Sequence, residues 1–170
     1  MSSTTGGSPF YCIATQNDNV FFDGNSFSGG GQVVTIDQTA YCKSMNWAGA
    51  ANTPTLTGNQ TLNVYGSLIL NASMNVTFNG GIYFKSSSPG NTIQTFGKTM
   101  SSFNLDGLGG EWTLQDNLTI STINLVNGSL NTNNVTVTAY NFASNSGGIC
   151  SLTLGSSIIN VSYNWYNPSY

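Results

Sequence analysis

"TLNVYGSLIL" (residues 61–70) carries the decision about the fold. Leu62 and Val64 alternate with polar neighbours, Gly66 interrupts, and Leu68 and Leu70 resume the alternation at once. Period-2 alternation is the mark of a strand with one buried face. A chain that pauses at a glycine and runs straight into another short strand is bending rather than reversing. Three further runs share this shape: "TFNGGIYF" (77–84), "INLVNGSLN" (123–131) and "LTLGSSIINV" (152–161). Their spacing is irregular, but a degenerate unit of roughly 15–25 residues suits the coil of a solenoid.

Working outward, "QVVTID" (32–37), "NVTFNGGIYF" (75–84), "NTIQTFG" (91–97), "EWTLQDNLTI" (111–120) and "STINLVNGSLN" (121–131) read as strands. So do "NVTVTAYNF" (134–142), "SLTLG" (151–155) and "IINVSYNW" (158–165). Helical periodicity is absent, and no cluster of strong helix formers supports it. The expected fold is all-β, a single right-handed parallel β-helix whose inner row contains Leu62, Val64, Leu68, Leu70, Val76 and Phe78. Asn79-Gly80 and Asn127-Gly128 can also close type I′ hairpins, which keeps an antiparallel β-sandwich as the alternative. The organisation expected is an N-terminal segment over 1–31, coils over 32–160 and an aromatic cap over 161–170. Trp165, Tyr166 and Tyr170 crowd that last stretch too densely for alternation.

Composition sets the chemistry. Only 5% of the 170 residues are charged, and there is no arginine or histidine; typical soluble domains carry roughly 25%. Asn, Ser, Thr and Gly together make 85 residues, half the chain. With 39% hydrophobic residues and a net charge of −3, the chain has the means to fold. Solubility then rests on amides and hydroxyls, a style suited to an extracellular β-rich surface. Three scattered lysines exclude a nucleic-acid partner, since phosphate binding needs clustered cations. No apolar run approaches a membrane span, so membrane insertion is not expected. "MSSTTGGSPFYC" (1–12) has neither the basic nor the apolar region of a signal peptide. The seven N-x-S/T sequons, including those at Asn71, Asn75 and Asn117, follow from an Asn/Ser/Thr-rich composition.

The same composition limits catalysis. "DGLGGEWTLQD" (106–116) gathers Asp106, Glu111 and Asp116, half of the acidic residues, and paired carboxylates are the equipment of glycosidases. Polysaccharide lyases built on β-helices usually add a basic residue near such carboxylates, and here lysine is remote in sequence. The stretch is read as a turn: Asp106-Gly107 opens it, Gly109-Gly110 takes positive φ, and Trp112 and Leu114 pack inward. Asp18, Asp23 and Asp37 do not have the ligand spacing of an EF-hand. Cys12, Cys42 and Cys150 fit no metal motif. Two readings of the cysteines stand side by side: a Cys12–Cys42 disulfide with Cys150 free, or three small buried hydrophobes. No enzyme, cofactor or metal site is expected.

Taken in order, "DNVFFDGNSFSGGGQVVTID" (18–37), "CKSMNWAGAANTPTLTG" (42–58), "LNVYGSLIL" (62–70), "GNTIQTFGKT" (90–99), "GLGGEWTLQDNLTI" (107–120) and "NGSLNTNNVTVTA" (127–139) carry a family likeness. The succession, covering roughly residues 17–165, resembles the repetitive β-helical segments of very large surface proteins of Bacteroidetes. Those proteins are typically exported by the type IX system and often end in gliding-motility-type sorting domains. The resemblance implies an extracellular, non-catalytic module of a stalk, adhesin or filament, cut from a longer protein. Its partners would be neighbouring repeats or copies of itself end to end, with surface glycans as a further ligand. The rival readings are a carbohydrate-binding module using Trp47, Trp112, Trp165 and the tyrosines, and a phage tail-fibre subunit. Ice binding is a more distant rival: "NVTVTAY" offers Thr136 and Thr138, with no T-x-T array recurring across the coils.

Overall fold

The computed structural model describes residues 13–144 and 148–166. It is a β-solenoid of about seven turns with 56% strand and, among the described residues, no helix. β1 (Val20–Phe21) precedes a first coil of β2 (Val33–Ile36), β3 (Ala40–Cys42) and β4 (Met45–Asn46). β5 (Thr55–Gly58), β6 (Leu62–Val64) and β7 (Leu68–Ile69) make the second coil; β8 (Asn75–Phe78), β9 (Gly81–Phe84) and β10 (Asn91–Gln94) make the third. Beyond them the strands lengthen. β11 (Thr99–Leu114) and β12 (Leu118–Asn131) each run a whole coil, β13 (Thr136–Ser144) and β14 (Cys150–Thr153) share the next, and β15 (Ile158–Tyr166) begins the last.

Every strand pairing among the described residues is parallel. The antiparallel sandwich is thereby excluded. Asn127 and Gly128 lie inside β12, and Asn79-Gly80 joins β8 to β9 at a corner, so neither dipeptide closes a hairpin. The coils present three faces. The first begins as the separate three-stranded sheet β2–β5–β8, beyond which the opening residues of β11, β12, β13 and β15 pair with one another; the second runs β3–β6–β9 and on through the same long strands. The third runs β1–β4–β7–β10, then the ends of β11 and β12, then β14.

Alternation becomes columns. On the second face Ala40, Leu62, Ile82, Phe103, Ile123, Phe142 and Trp165 stand in one inner file. Cys42, Val64, Phe84, Leu105 and Leu125 form the file beside it. Leu62, Val64, Leu68 and Leu70 are fully buried, Phe78 is buried and Val76 is partly buried against them. Each fully buried Leu, Ile or Phe contributes about 1.5–3 kcal/mol. Outward residues stay polar, so each two-residue step is fixed by which side faces the core.

Amides serve the corners. Asn71 donates through Nδ2 to the carbonyls of Trp47, Ala48 and Ala50, all at 3.1 Å. Asn133 reaches back to the Leu114 carbonyl, and Asn117 accepts from the Thr136 N–H of the following coil. A side-chain-to-side-chain rung occurs on the second face, where Asn124 donates to Asn104 at 2.7 Å. Asparagines that bridge coils therefore bond backbone more often than they stack on other asparagines.

β1 lies within 1–31 yet pairs with β4, and the 160/161 boundary falls inside β15. Trp165 and Tyr166 belong to that strand, opposite Phe142 and Ala143; Tyr170 lies outside the described residues.

Glycine marks corners where one coil rests on the carbonyl of the coil before. A Cβ on Gly107 or Gly110 would stand 2.0 or 2.1 Å from the Ser86 carbonyl oxygen and inside 3 Å of the Trp112 ring. Gly29, with φ outside the left-handed range and nothing within 4 Å, has no such neighbour. Gly110→Ala therefore lowers stability by about 1–3 kcal/mol through overpacking, while Gly29→Ala leaves the midpoint within about 0.5 kcal/mol. Thermal or denaturant melts of the two variants test this, and equal midpoints would contradict the corner contact.

Candidate functional site

The acidic stretch 106–116 begins at the corner between the second and third faces and crosses the third face to the next corner. Four residues, Gly107 to Gly110, bulge between Asp106, opposite Asn127, and Glu111, opposite Ser129. Gly109 takes φ +81°, whereas Gly110 is not among the positive-φ residues. Beneath the bulge Trp112 is fully buried and donates its indole N–H to the Gly66 carbonyl at 3.1 Å. Leu114 is buried as well. Its opening is thus a corner within one continuous strand, with both hydrophobes inward as expected.

The three carboxylates are occupied separately. Asp106 Oδ2 lies 3.6 Å from Lys85 Nζ, and its Oδ1 accepts from Asn127 Nδ2 at 2.8 Å. Lysine is remote from Asp106 in sequence but adjacent in space, because Lys85 follows Phe84, which pairs with Leu105 one coil on. Lys85 Nζ also sits 5.7 Å from the centre of the Tyr83 ring. Asp116 is at the next corner, where Oδ1 accepts the Thr95 N–H at 2.9 Å and Oδ2 accepts the Phe96 N–H. That geometry holds Phe96 at φ +51°. Glu111 ties in through its main chain: its carbonyl accepts from Asn91 Nδ2 at 3.0 Å, while the residue itself is exposed.

A shallow groove of about 310 Å³ runs beside this corner, lined among others by Gly109, Glu111, Ser129, Ile149, Cys150 and Ser151. Ser151 donates to Ser129 across adjacent coils at 2.7 Å. Its chemistry is that of hydroxyls, backbone and one carboxylate. The groove offers hydrogen-bonding groups and no cation.

The other candidates are dispersed. Asp18 accepts from the Thr15 N–H and hydroxyl, at 2.9 and 2.6 Å, and these bonds hold its carboxyl below the usual carboxylate range. Asp23 accepts from the Asn25 N–H and the Ser26 hydroxyl, and Asp37 is exposed just past β2. Among the described residues no three His, Cys, Asp or Glu side chains assemble into a metal-holding group. Cys42 and Cys150 are free thiols; burial pushes Cys42 up to about 12. Cys12, the other half of the expected disulfide, lies outside the described residues. Trp47 and Trp112 are core residues, whereas Trp165 is 55% exposed.

Two arrays were not legible from spacing in sequence. Thr35, Thr57 and Thr77 are in register on the outward side of β2, β5 and β8, and Thr99, Thr119 and Thr138 form a second file in register on β11, β12 and β13. Thr136, beside this file, is opposed by Ile158. The intervals between coils vary, so no T-x-T motif announces either file; only strand register reveals them.

Two substitutions separate the roles of the acids. Asp116→Ala removes the charged acceptor of two backbone N–H groups and lowers stability by about 1.5–3 kcal/mol. Asp106→Ala removes a half-exposed ion pair and costs less than about 1 kcal/mol. Denaturant titration of both variants checks the order. Because the Thr15 bonds favour charged Asp18, their contribution is present above the ordinary carboxylate range and lost as pH falls through the lowered pKa. In Thr15→Ala the Asp18 midpoint, followed by NMR, rises towards 3.8; an unchanged midpoint would discount those bonds.

No protein-family model, no curated protein and no solved structure matches the chain.

Proposed function

We propose that the chain is a non-catalytic structural or adhesive module of an extracellular surface protein or filament, serving as a rigid stalk or spacer. The observation that carries this reading is the uninterrupted parallel stack of about seven turns. Coils pair with their neighbours, with Trp112 reaching past one coil to Gly66, and each added coil extends such a stack by about 4.8 Å. Length is then tunable while the cross-section stays constant, which is the requirement of a spacer. Neutral amides at the corners give a surface whose cohesion does not rest on ions. The acidic side chains with resolved partners spend their bonds on neighbouring coils or on local turns.

A carbohydrate-binding platform needs a row of exposed aromatic rings along one face. Here exposed Tyr140, Tyr163, Trp165 and Tyr166 gather at the last coils, and Phe21 and Tyr41 stand apart from them. The spacer reading is preferred for that reason.

The test is incubation of the full chain with a broad panel of polysaccharides, read for both hydrolysis and elimination products. No turnover is expected, and Glu111→Gln should be indistinguishable from the parent. Activity that disappears in Glu111→Gln, with the circular dichroism unchanged, would replace the spacer with an enzyme.

A further inference from the structure

The two ends of the solenoid differ. In the first coil Ile36, Cys42 and Met45 are buried, and Phe22, Phe27 and Trp47 stack at the adjoining corner with ring centres 3.8–5.8 Å apart. At the other end the inner files run out into solvent. Ile159 and Val161 are only partly buried, and Trp165, stacked at 5.1 Å on buried Phe142, leaves 55% of its surface uncovered. Ile158, Tyr163 and Tyr166 are exposed alongside. Tyr163 lies parallel to Tyr140 at 4.8 Å, one strand spacing, so its outer face is where a further ring would stack.

Among the described residues β15 pairs with β13 alone and is an edge without the usual protection. Edge strands are normally blunted by charges, above all lysine, or by proline. β15 has nine residues and neither device. From residue 117 onward the sequence contains no charged side chain at all. The one irregularity in the pairing of β15 is a register shift between Ala139 and Asn141 of β13, where the first and second faces meet.

We propose that this edge is the contact between two copies of the chain, joined tail to tail with β15 antiparallel to its counterpart. The proposal rests on the spacer reading and specifies how one module joins another. Charge selects the occupant. In a two-fold contact each group meets its own copy, so a charged patch repels itself and a neutral one does not. A charged partner finds nothing here to pair with. A two-fold contact uses the same edge of both copies and so closes at two. A two-fold axis near Ser162 sets Ile159 of one copy beside Trp165 of the other and merges the inner files. The edge is about 30 Å long and roughly 20 Å thick, which covers on the order of 600 Å² per copy, the lower end for a stable dimer.

Sedimentation velocity of the 170-residue chain over a dilution series tests this. The expected result is a species of twice 17.9 kDa that dissociates on dilution. Asn160 and Asn164 are exposed on β15; N160K/N164K places like charges across the axis and returns the 17.9 kDa species with unchanged circular dichroism. T35K/Q38K, two exposed positions in the first coil, leaves the dimer intact. Hydrogen exchange adds a readout on the unaltered chain: β15 amides are protected in the concentrated sample and exchange faster on dilution. A parent chain that stays at 17.9 kDa, an open-ended ladder of larger species, a dimer surviving N160K/N164K or one lost in T35K/Q38K would each overturn the proposal. A monomeric parent would leave the spacer reading intact, since that is decided by turnover.

Discussion

The distance between coils governs this molecule. Parallel strands hydrogen-bond at about 4.8 Å, and a chain that wraps repeatedly must hold that distance at its corners as well as along its faces. At the corners the side chain is the obstacle. Gly58, Gly80, Gly107, Gly110, Gly128 and Gly148 all lie where a Cβ would stand within 3 Å of a carbonyl oxygen on a neighbouring coil. Once those approaches are made, register follows, and register turns a scattered set of hydrophobes into continuous inner files. Trp112 illustrates the dependence. Its ring fills the space beneath Gly107, Gly110 and Gly128, and its indole N–H reaches Gly66, so one side chain ties several corners together.

The strand-glycine-strand runs that revealed the fold are not copies of one repeat. Gly66 and Gly128 turn the second face into the third, Gly80 turns the first into the second, and Gly155 turns the third into the first. Their likeness is physical: each is a place where a coil bends against its neighbour. This explains why parallel stacking was legible while the period was not. Trp112 pairs with Leu130, 18 residues on, whereas Val20 pairs with Met45, 25 residues on.

The inner row was legible because two-residue alternation states which side is buried, and Leu62 through Phe78 fall as alternation requires. The 99–110 stretch was harder. "SSFNL" stands outside the runs read as strands and the glycines after it read as a turn, yet β11 continues through them because pairing with β9 and β12 supplies the hydrogen bonds that local propensity does not. The environment of Asp106 was legible only in part. Its place at a corner follows from the flanking glycines, but its partner Lys85 belongs to another coil, and contacts between coils depend on corner lengths that spacing does not reveal. The threonine files were hidden for the same reason.

The contrast between a closed first coil and an open last one also gives the molecule a direction in time. Stability in a one-dimensional stack is a sum over neighbouring contacts, and loss begins where a unit has a single neighbour and little buried surface. β15 meets that description, with an uncovered inner file on its far side, whereas the aromatic stack of Phe22, Phe27 and Trp47 secures the opposite corner. In an unpaired copy, load or heat is expected to fray the β15 side before the aromatic corner. A tether placed at one end therefore meets a different mechanical material from a tether placed at the other.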